Sequence, residues 1–146
     1  MPCRRNPLKD GSTLLADDIR LSILREAAEE INGGYGEEKI KVCTLELEMP
    51  LPSYTCNTLI RLKEEYPDKD FRIVVGGDSY LDFTRWKEWE WIERNFSPIV
   101  YPRPGYEIKN LRPSWTLLEG EEQIDISSTQ LRATGIWQLK NTNLRK

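Results

Sequence analysis

Apolar positions along the chain change period several times, and each change predicts an element. Over 13–31, Leu14, Ile19, Leu21, Ile23, Leu24, Ala27, Ala28 and Ile31 recur at mostly helical spacing. Asp17 and Asp18 stand near the start of this amphipathic helix, and Asn32-Gly33-Gly34 ends it. Residues 39–48 alternate instead, with Ile40, Val42, Thr44/Leu45 and Leu47 apolar, which predicts a strand with one solvated face. The segment 49–53, Met-Pro-Leu-Pro-Ser, breaks that strand. A second helix over 53–66 aligns Leu59, Leu62 and Tyr66 and opens with hydroxyl residues suited to capping free N–H groups.

The run from Phe71 to Asp78 is almost continuously apolar and closes on Gly76-Gly77-Asp78. This predicts a strand buried on both faces of a parallel sheet. An aromatic helical stretch follows over 80–94, in which Trp86 and Trp89 share a face while Trp91 points elsewhere. Short strands are expected in 97–105 and 115–120, then a short helix over 126–135 ended by Gly135. Strands alternating with helices imply an α/β domain with a mostly parallel sheet, one domain over 1–146, without internal repeats or a linker. In such sheets ligands bind beyond the carboxyl ends of the strands, here at 53–55, 76–78 and 126–129.

Composition narrows the chemistry. With 21 Lys and Arg against 24 Asp and Glu, a net charge of -3 argues against nonspecific nucleic-acid binding, which rests on clustered cations. The count of zero histidines excludes a histidine base, a histidine metal ligand and any Ser-His or Cys-His nucleophile pair. Cys3, Cys43 and Cys56 fit neither a zinc site nor a disulfide framework, and read as reduced thiols of a cytoplasmic protein. No apolar run is long enough to span a bilayer and the first residues lack a signal peptide, so no membrane partner is expected.

Each helix opening, Ser53-Tyr54-Thr55 and Ser127-Ser128-Thr129, is either a plain N-cap or an anion site built from free N–H groups. Arg132 leans toward an anion at the second, since a cation in a first helical turn opposes the macrodipole, unless it lies at the end of that short helix. Gly77 allows close backbone approach and Asp78 can accept from sugar hydroxyls, or the pair forms a turn with an Asx cap. Trp86 either stacks on a ligand ring or packs in the core.

Taken in order, PSYTCNTL, IVVGGDSYLDFTRWKEW, VYPRPGY and ISSTQLR resemble the nicotinate-nucleotide adenylyltransferases of bacterial NAD synthesis, over about residues 2–135. The tail from 136 departs from the family. The resemblance implies a Rossmann-like nucleotidyltransferase fold and transfer of AMP from MgATP to nicotinate mononucleotide, giving deamido-NAD and pyrophosphate. Attack by the mononucleotide phosphate on the α-phosphate is direct and in line, so the enzyme positions reactants and neutralises charge. By motif, Tyr54 and Thr55 would receive the nicotinate carboxylate, Trp86 would stack on the pyridine ring, and Arg103 would contact the mononucleotide phosphate. Gly77 and Asp78 would hold ATP in the central cleft, with Ser128, Thr129, Arg132 and Lys9 on its phosphates and Arg132 as the catalytic group. Magnesium is expected with the triphosphate, without a protein metal cluster.

The family's opening βαβ unit carries G-x-F-x-P-x-H-x-G-H, and this chain has no histidine. Its first residues resemble the end of the family's second strand and the loop after it, which implies an N-terminally truncated, aggregation-prone fold, and loss of both histidines and the phosphate loop implies AMP transfer slowed by more than about 10⁴-fold. Two other readings stand beside adenylyl transfer. One is a non-catalytic nucleotide-binding remnant; the other is a related nucleotidyltransferase with a different phosphate acceptor, such as phosphopantetheine.

Overall fold

The computed structural model describes residues 16–119. Four helices, α1 (Asp17–Tyr35), α2 (Thr55–Glu65), α3 (Gly77–Leu81) and α4 (Trp89–Phe96), accompany three strands, β1 (Val74–Gly76), β2 (Ile99–Tyr101) and β3 (Thr116–Leu117). The strands form one parallel sheet in the order β1-β2-β3, with Val75 opposite Val100 and Val100 opposite Leu117. Helices alternating with a parallel sheet confirm the α/β class.

α1 runs past the expected stop. Gly33 and Gly34 remain helical, and the chain turns only at Gly36, whose φ of 70° is the left-handed conformation glycine adopts without penalty. The strand expected over 39–48 does not form; a single 3-10 turn, Leu45–Glu48, lies there instead. The reason is visible in Asn32. Its Oδ1 accepts from the Lys39 and Ile40 N–H groups, both at 2.8 Å, and its Nδ2 donates to the Ile40 carbonyl at 2.8 Å. One side-chain amide thus satisfies backbone groups that a neighbouring strand would otherwise take.

α2 begins and ends close to its predicted bounds, but none of the opening hydroxyls makes a capping bond. β1 is shorter than expected, and Val74 at its start is 63% exposed, so this strand is not buried on both faces. The physical cause is sheet order: β1 is an edge of the three described strands, whereas the central β2 buries Val100 completely. The expected aromatic helix is broken in three. α3 is followed by a 3-10 turn, Phe83–Arg85, and α4 starts only after Glu88, whose φ is 56°. Trp86 therefore lies just past the 3-10 turn while Trp89 opens α4, rather than both on one helical face.

They still meet the same side chain. Phe83, fully buried, lies 5.2 Å from the Trp86 ring, 6.5 Å from Trp89 and 4.7 Å from Trp115, the last two edge-to-face. Tyr80 packs edge-to-face on Trp115 at 4.9 Å, donates from its hydroxyl to the Asn110 carbonyl at 2.9 Å, and accepts from the Arg112 N–H at 3.0 Å. Such ring geometry is favoured by the aromatic quadrupole beyond simple area burial. Ile92, Phe96, Leu59 and Cys56 complete the core between α2, α4 and the sheet.

Beside that core, Glu93 ties α4 to the segment before β3. Arg112 donates to both of its oxygens, at 2.8 and 2.7 Å, Trp115 donates from Nε1 at 3.1 Å, and Ser114 donates from its hydroxyl. The Arg112 guanidinium lies over the Trp89 ring at 4.6 Å. Hydrogen bonding from Arg112 holds the Glu93 carboxyl below its ordinary value, outweighing the burial that pushes it up, and Glu93 in turn raises Arg112. Among the described residues no helix is long and apolar enough to cross a membrane.

Candidate functional site

Among the described residues, two clusters of polar groups besides the one at Glu93 bear on ligand binding. The first forms beyond the carboxyl ends of β1 and β2, where an α/β sheet binds its ligands. Asp78, in the first turn of α3, accepts from Arg103, which follows β2, at 3.2 Å. The side chains are 28% and 21% exposed, so the pair is reachable from solvent. Gly76 and Gly77 make this approach possible. A Cβ at 76 would meet Asp78 Oδ1 at 2.6 Å and Arg103 Cδ at 2.9 Å, and one at 77 would meet Tyr106 Cβ at 3.3 Å. The glycines expected to admit a ligand therefore admit the chain's own Arg103–Tyr106 turn, which closes on Gly105 at φ 81°.

The second cluster surrounds the opening of α2. A cavity of about 150 Å³, a volume that in proteins takes one six-membered ring, is lined by Glu46, residues 49–52, Ser53, Tyr54, Asn57, Thr58 and Lys87. Tyr54 is the N-cap residue of α2 in extended conformation, and the helix leaves its first N–H groups without a side-chain cap. Ser53 is only 7% exposed, and its Oγ is buried without a hydrogen-bond partner. An unsatisfied buried hydroxyl costs about 1–3 kcal/mol, so a ligand that supplies its partner binds with that much more to gain. The Lys87 ammonium lies over the Tyr54 ring at 4.7 Å, which brings a cation to the same cavity.

The sequence-derived residues divide between these clusters. Tyr54 lines the cavity; Thr55 is the first residue of α2 and half-buried but is not part of the lining. Trp86 is half-buried against Phe83 and does not line the cavity, whereas its neighbour Lys87 does. Gly77, Asp78 and Arg103 come together at the sheet edge. Lys9, Ser128, Thr129 and Arg132 lie outside the described residues, as does Cys3. Cys43 and Cys56 are free thiols, and Cys56, only 1% exposed, belongs to the core.

Two charged lining residues, Glu46 and Lys87, fall outside those the sequence singles out. Glu46 lies inside an alternation that predicts a strand, and Lys87 stands beside the more conspicuous Trp86, whereas Ser53 belongs to the helix opening that the sequence already offers as a cap or an anion site. The proximity of Lys87 to the Ser53-Tyr54-Thr55 motif was the available signal, since both were linked to one ligand through their neighbours.

The chain matches the cytidylyltransferase-like family over residues 1–134. It is 37% identical over 134 residues to a probable nicotinate-nucleotide adenylyltransferase of Bacteroides fragilis, covering 89% of this chain and 64% of that protein. A protein of the same description from Bacteroides thetaiotaomicron is 36% identical over 129 residues, covering 88% and 61%. Another, from Flavobacterium johnsoniae, is 37% identical over 131 residues, covering 87% and 64%. The chain thus spans somewhat under two thirds of the length of the relatives it matches.

Proposed function

The chain belongs to the cytidylyltransferase-like family, and from that premise we propose that it joins AMP from ATP to nicotinate mononucleotide in the synthesis of NAD. The observation that carries this reading is the convergence of Asp78 and Arg103 past the carboxyl ends of adjacent parallel strands. That is where a doubly wound sheet presents a nucleotide. The relatives named above supply the choice of reaction.

In this reading a mononucleotide phosphate oxygen attacks the α-phosphorus of ATP, a new P–O bond forms, the bond to the β-phosphate breaks, and pyrophosphate leaves. The protein contributes placement and charge. Asp78 accepts from nucleotide hydroxyls, Arg103 swings from Asp78 to a phosphate, and the opening of α2 with Tyr54 and Thr55 receives the nicotinate carboxylate. Trp86 covers the ring and Lys9, Ser128, Thr129 and Arg132 serve the triphosphate. Magnesium enters as part of the substrate MgATP. Among the described residues no three acidic or cysteine side chains are gathered to hold an ion, and no step is assigned to it.

The test is to mix the 146-residue chain with MgATP and nicotinate mononucleotide, follow deamido-NAD and pyrophosphate by chromatography, and repeat with Asp78→Asn. Slow formation of both products, reduced about tenfold or more in the variant, supports the reading. Formation of neither product, with no mononucleotide binding in a calorimeter, overturns it. The absence of histidine from the whole chain favours one second reading, nucleotide binding without transfer, and binding in the absence of turnover would select it.

A further inference from the structure

We infer that the Asp78–Arg103 pair is an exchange latch, which admits phosphorylated nucleosides and turns away the bare nucleoside. The inference rests on the proposed nucleotide site at the ends of β1 and β2, and adds to it the means by which that site selects its ligand.

The way Arg103 lies over the site leads there. Its Nη1 donates to Asp78 Oδ1 at 3.2 Å across the end of the sheet. Its stem covers the backbone of Gly76, where a Cβ would meet Arg103 Cδ at 2.9 Å and Asp78 Oδ1 at 2.6 Å. One side chain therefore both roofs the carboxyl end of β1 and engages the carboxylate there. The turn that carries it is tied down: Arg103 and Tyr106 form an antiparallel bridge, the Tyr106 N–H donates to the Arg103 carbonyl at 3.1 Å, and Tyr106 stands against Gly77. Both charged side chains stay partly open to solvent, so the guanidinium can turn away from Asp78 while its backbone remains in place.

A ligand hydroxyl that bonds to Asp78 must displace a cation. A bare nucleoside offers a neutral donor in place of a charged one and gives Arg103 no anion in return, so the exchange runs uphill. A phosphate changes the balance. Arg103 then trades one anion for another, with a bidentate geometry open to it, and the carboxylate is released to the sugar hydroxyls. A pair with this much access to water is weak enough for a ligand to break, whereas a fully buried one would hold the site shut. Selection thus arises from a bond that the ligand must break as well as from those it makes.

Ligand-observed NMR titrations with adenosine and with ATP, in one magnesium-containing buffer, test this on the unchanged chain, Arg103→Met, Arg103→Lys and the double variant Arg103→Met/Asp78→Asn. The unchanged chain should bind ATP more tightly than adenosine. Arg103→Met, which keeps most of the stem and loses the charge, should weaken ATP about tenfold or more and tighten adenosine about threefold. Arg103→Lys should keep the preference for ATP. The double variant should lose the gain for adenosine, since no carboxylate is left to release. An Arg103→Met protein of unaltered melting temperature that binds adenosine no better than the unchanged chain, or a gain that survives in the double variant, overturns the inference; ATP binding by the unchanged chain then leaves the nucleotide reading in place. If Arg103→Met does not fold, a salt series on the unchanged chain decides instead: screening the pair should tighten adenosine while it weakens ATP, and adenosine affinity that stays constant or falls overturns the inference. Failure of the unchanged chain to bind ATP overturns both.

Discussion

The Glu93 cluster and the Ser53 cavity use similar chemistry to opposite ends. Around Glu93 each carboxylate oxygen finds a donor, and the guanidinium that supplies two of them rests on an indole face. Around Ser53 a buried hydroxyl has no partner, the helix opening has no side-chain cap, and a lysine and a glutamate line the same wall without bonding. Saturated polar groups hold elements in place; unsaturated ones are held in place by something else and stay available. The fold therefore spends its hydrogen bonds at the seam between α4 and β3 and withholds them where a ligand can enter.

If that division is real, disturbing the saturated region should cost stability, and disturbing the unsaturated one should cost binding. The largest effect is expected from Phe83→Ala, which empties the centre on which Trp86, Trp89 and Trp115 converge. Truncating a fully buried Phe costs about 3–5 kcal/mol, a large part of a domain's total, so the urea midpoint should collapse or cooperativity disappear. A shift below 1 kcal/mol would mean the aromatic centre is not the core.

Next comes Glu93→Gln, which should lower stability by about 2 kcal/mol. The figure is at the low end for a broken pair because Arg112, 35% exposed, can recover water. The pH dependence sharpens it. Because the folded Glu93 carboxyl lies below its ordinary value of 4.5, its contribution is full above that value and is lost as pH falls through the lower folded one. Denaturation from pH 7 to pH 2 should therefore be steeper in the unchanged protein than in Glu93→Gln, with the two curves converging in acid. Parallel curves would show that Glu93 is not the titrating group.

The smallest effect on folding belongs to Ser53→Ala. Removing a buried hydroxyl without a partner should leave the melting temperature unchanged or raise stability by up to about 1 kcal/mol. The same change should weaken nicotinate mononucleotide binding several-fold, which calorimetry would register. Loss of stability in this variant would place Ser53 with the saturated region and dissolve the comparison.

The two regions also differ in how far the sequence disclosed them. Helix α2 and the strands of the sheet follow local periodicity, and Asp78 and Arg103 could be singled out because they follow apolar runs. Residues 39–48 alternate as a strand should, yet pairing is non-local, and Asn32 had already taken the Lys39 and Ile40 groups. The break at Glu88 left no trace in a pattern that reads as continuous helix. Glu93 meets partners 19 to 22 positions away, a separation that no period of 2 or 3.6 records. Lys87 gained its meaning only once α2 and the segment before α4 were brought side by side.

The left-handed residue Glu88 has an implication for how such a protein can change over time. Lys87 precedes it, at the cavity; Trp89 follows it, packed against the core. Had one helix run through both, altering the pitch or length on one side would have rotated the other. With the helix interrupted between them, the cavity wall and the packing against the core are written in adjacent but separable passages of the chain, and a lineage can revise the first without rewriting the second.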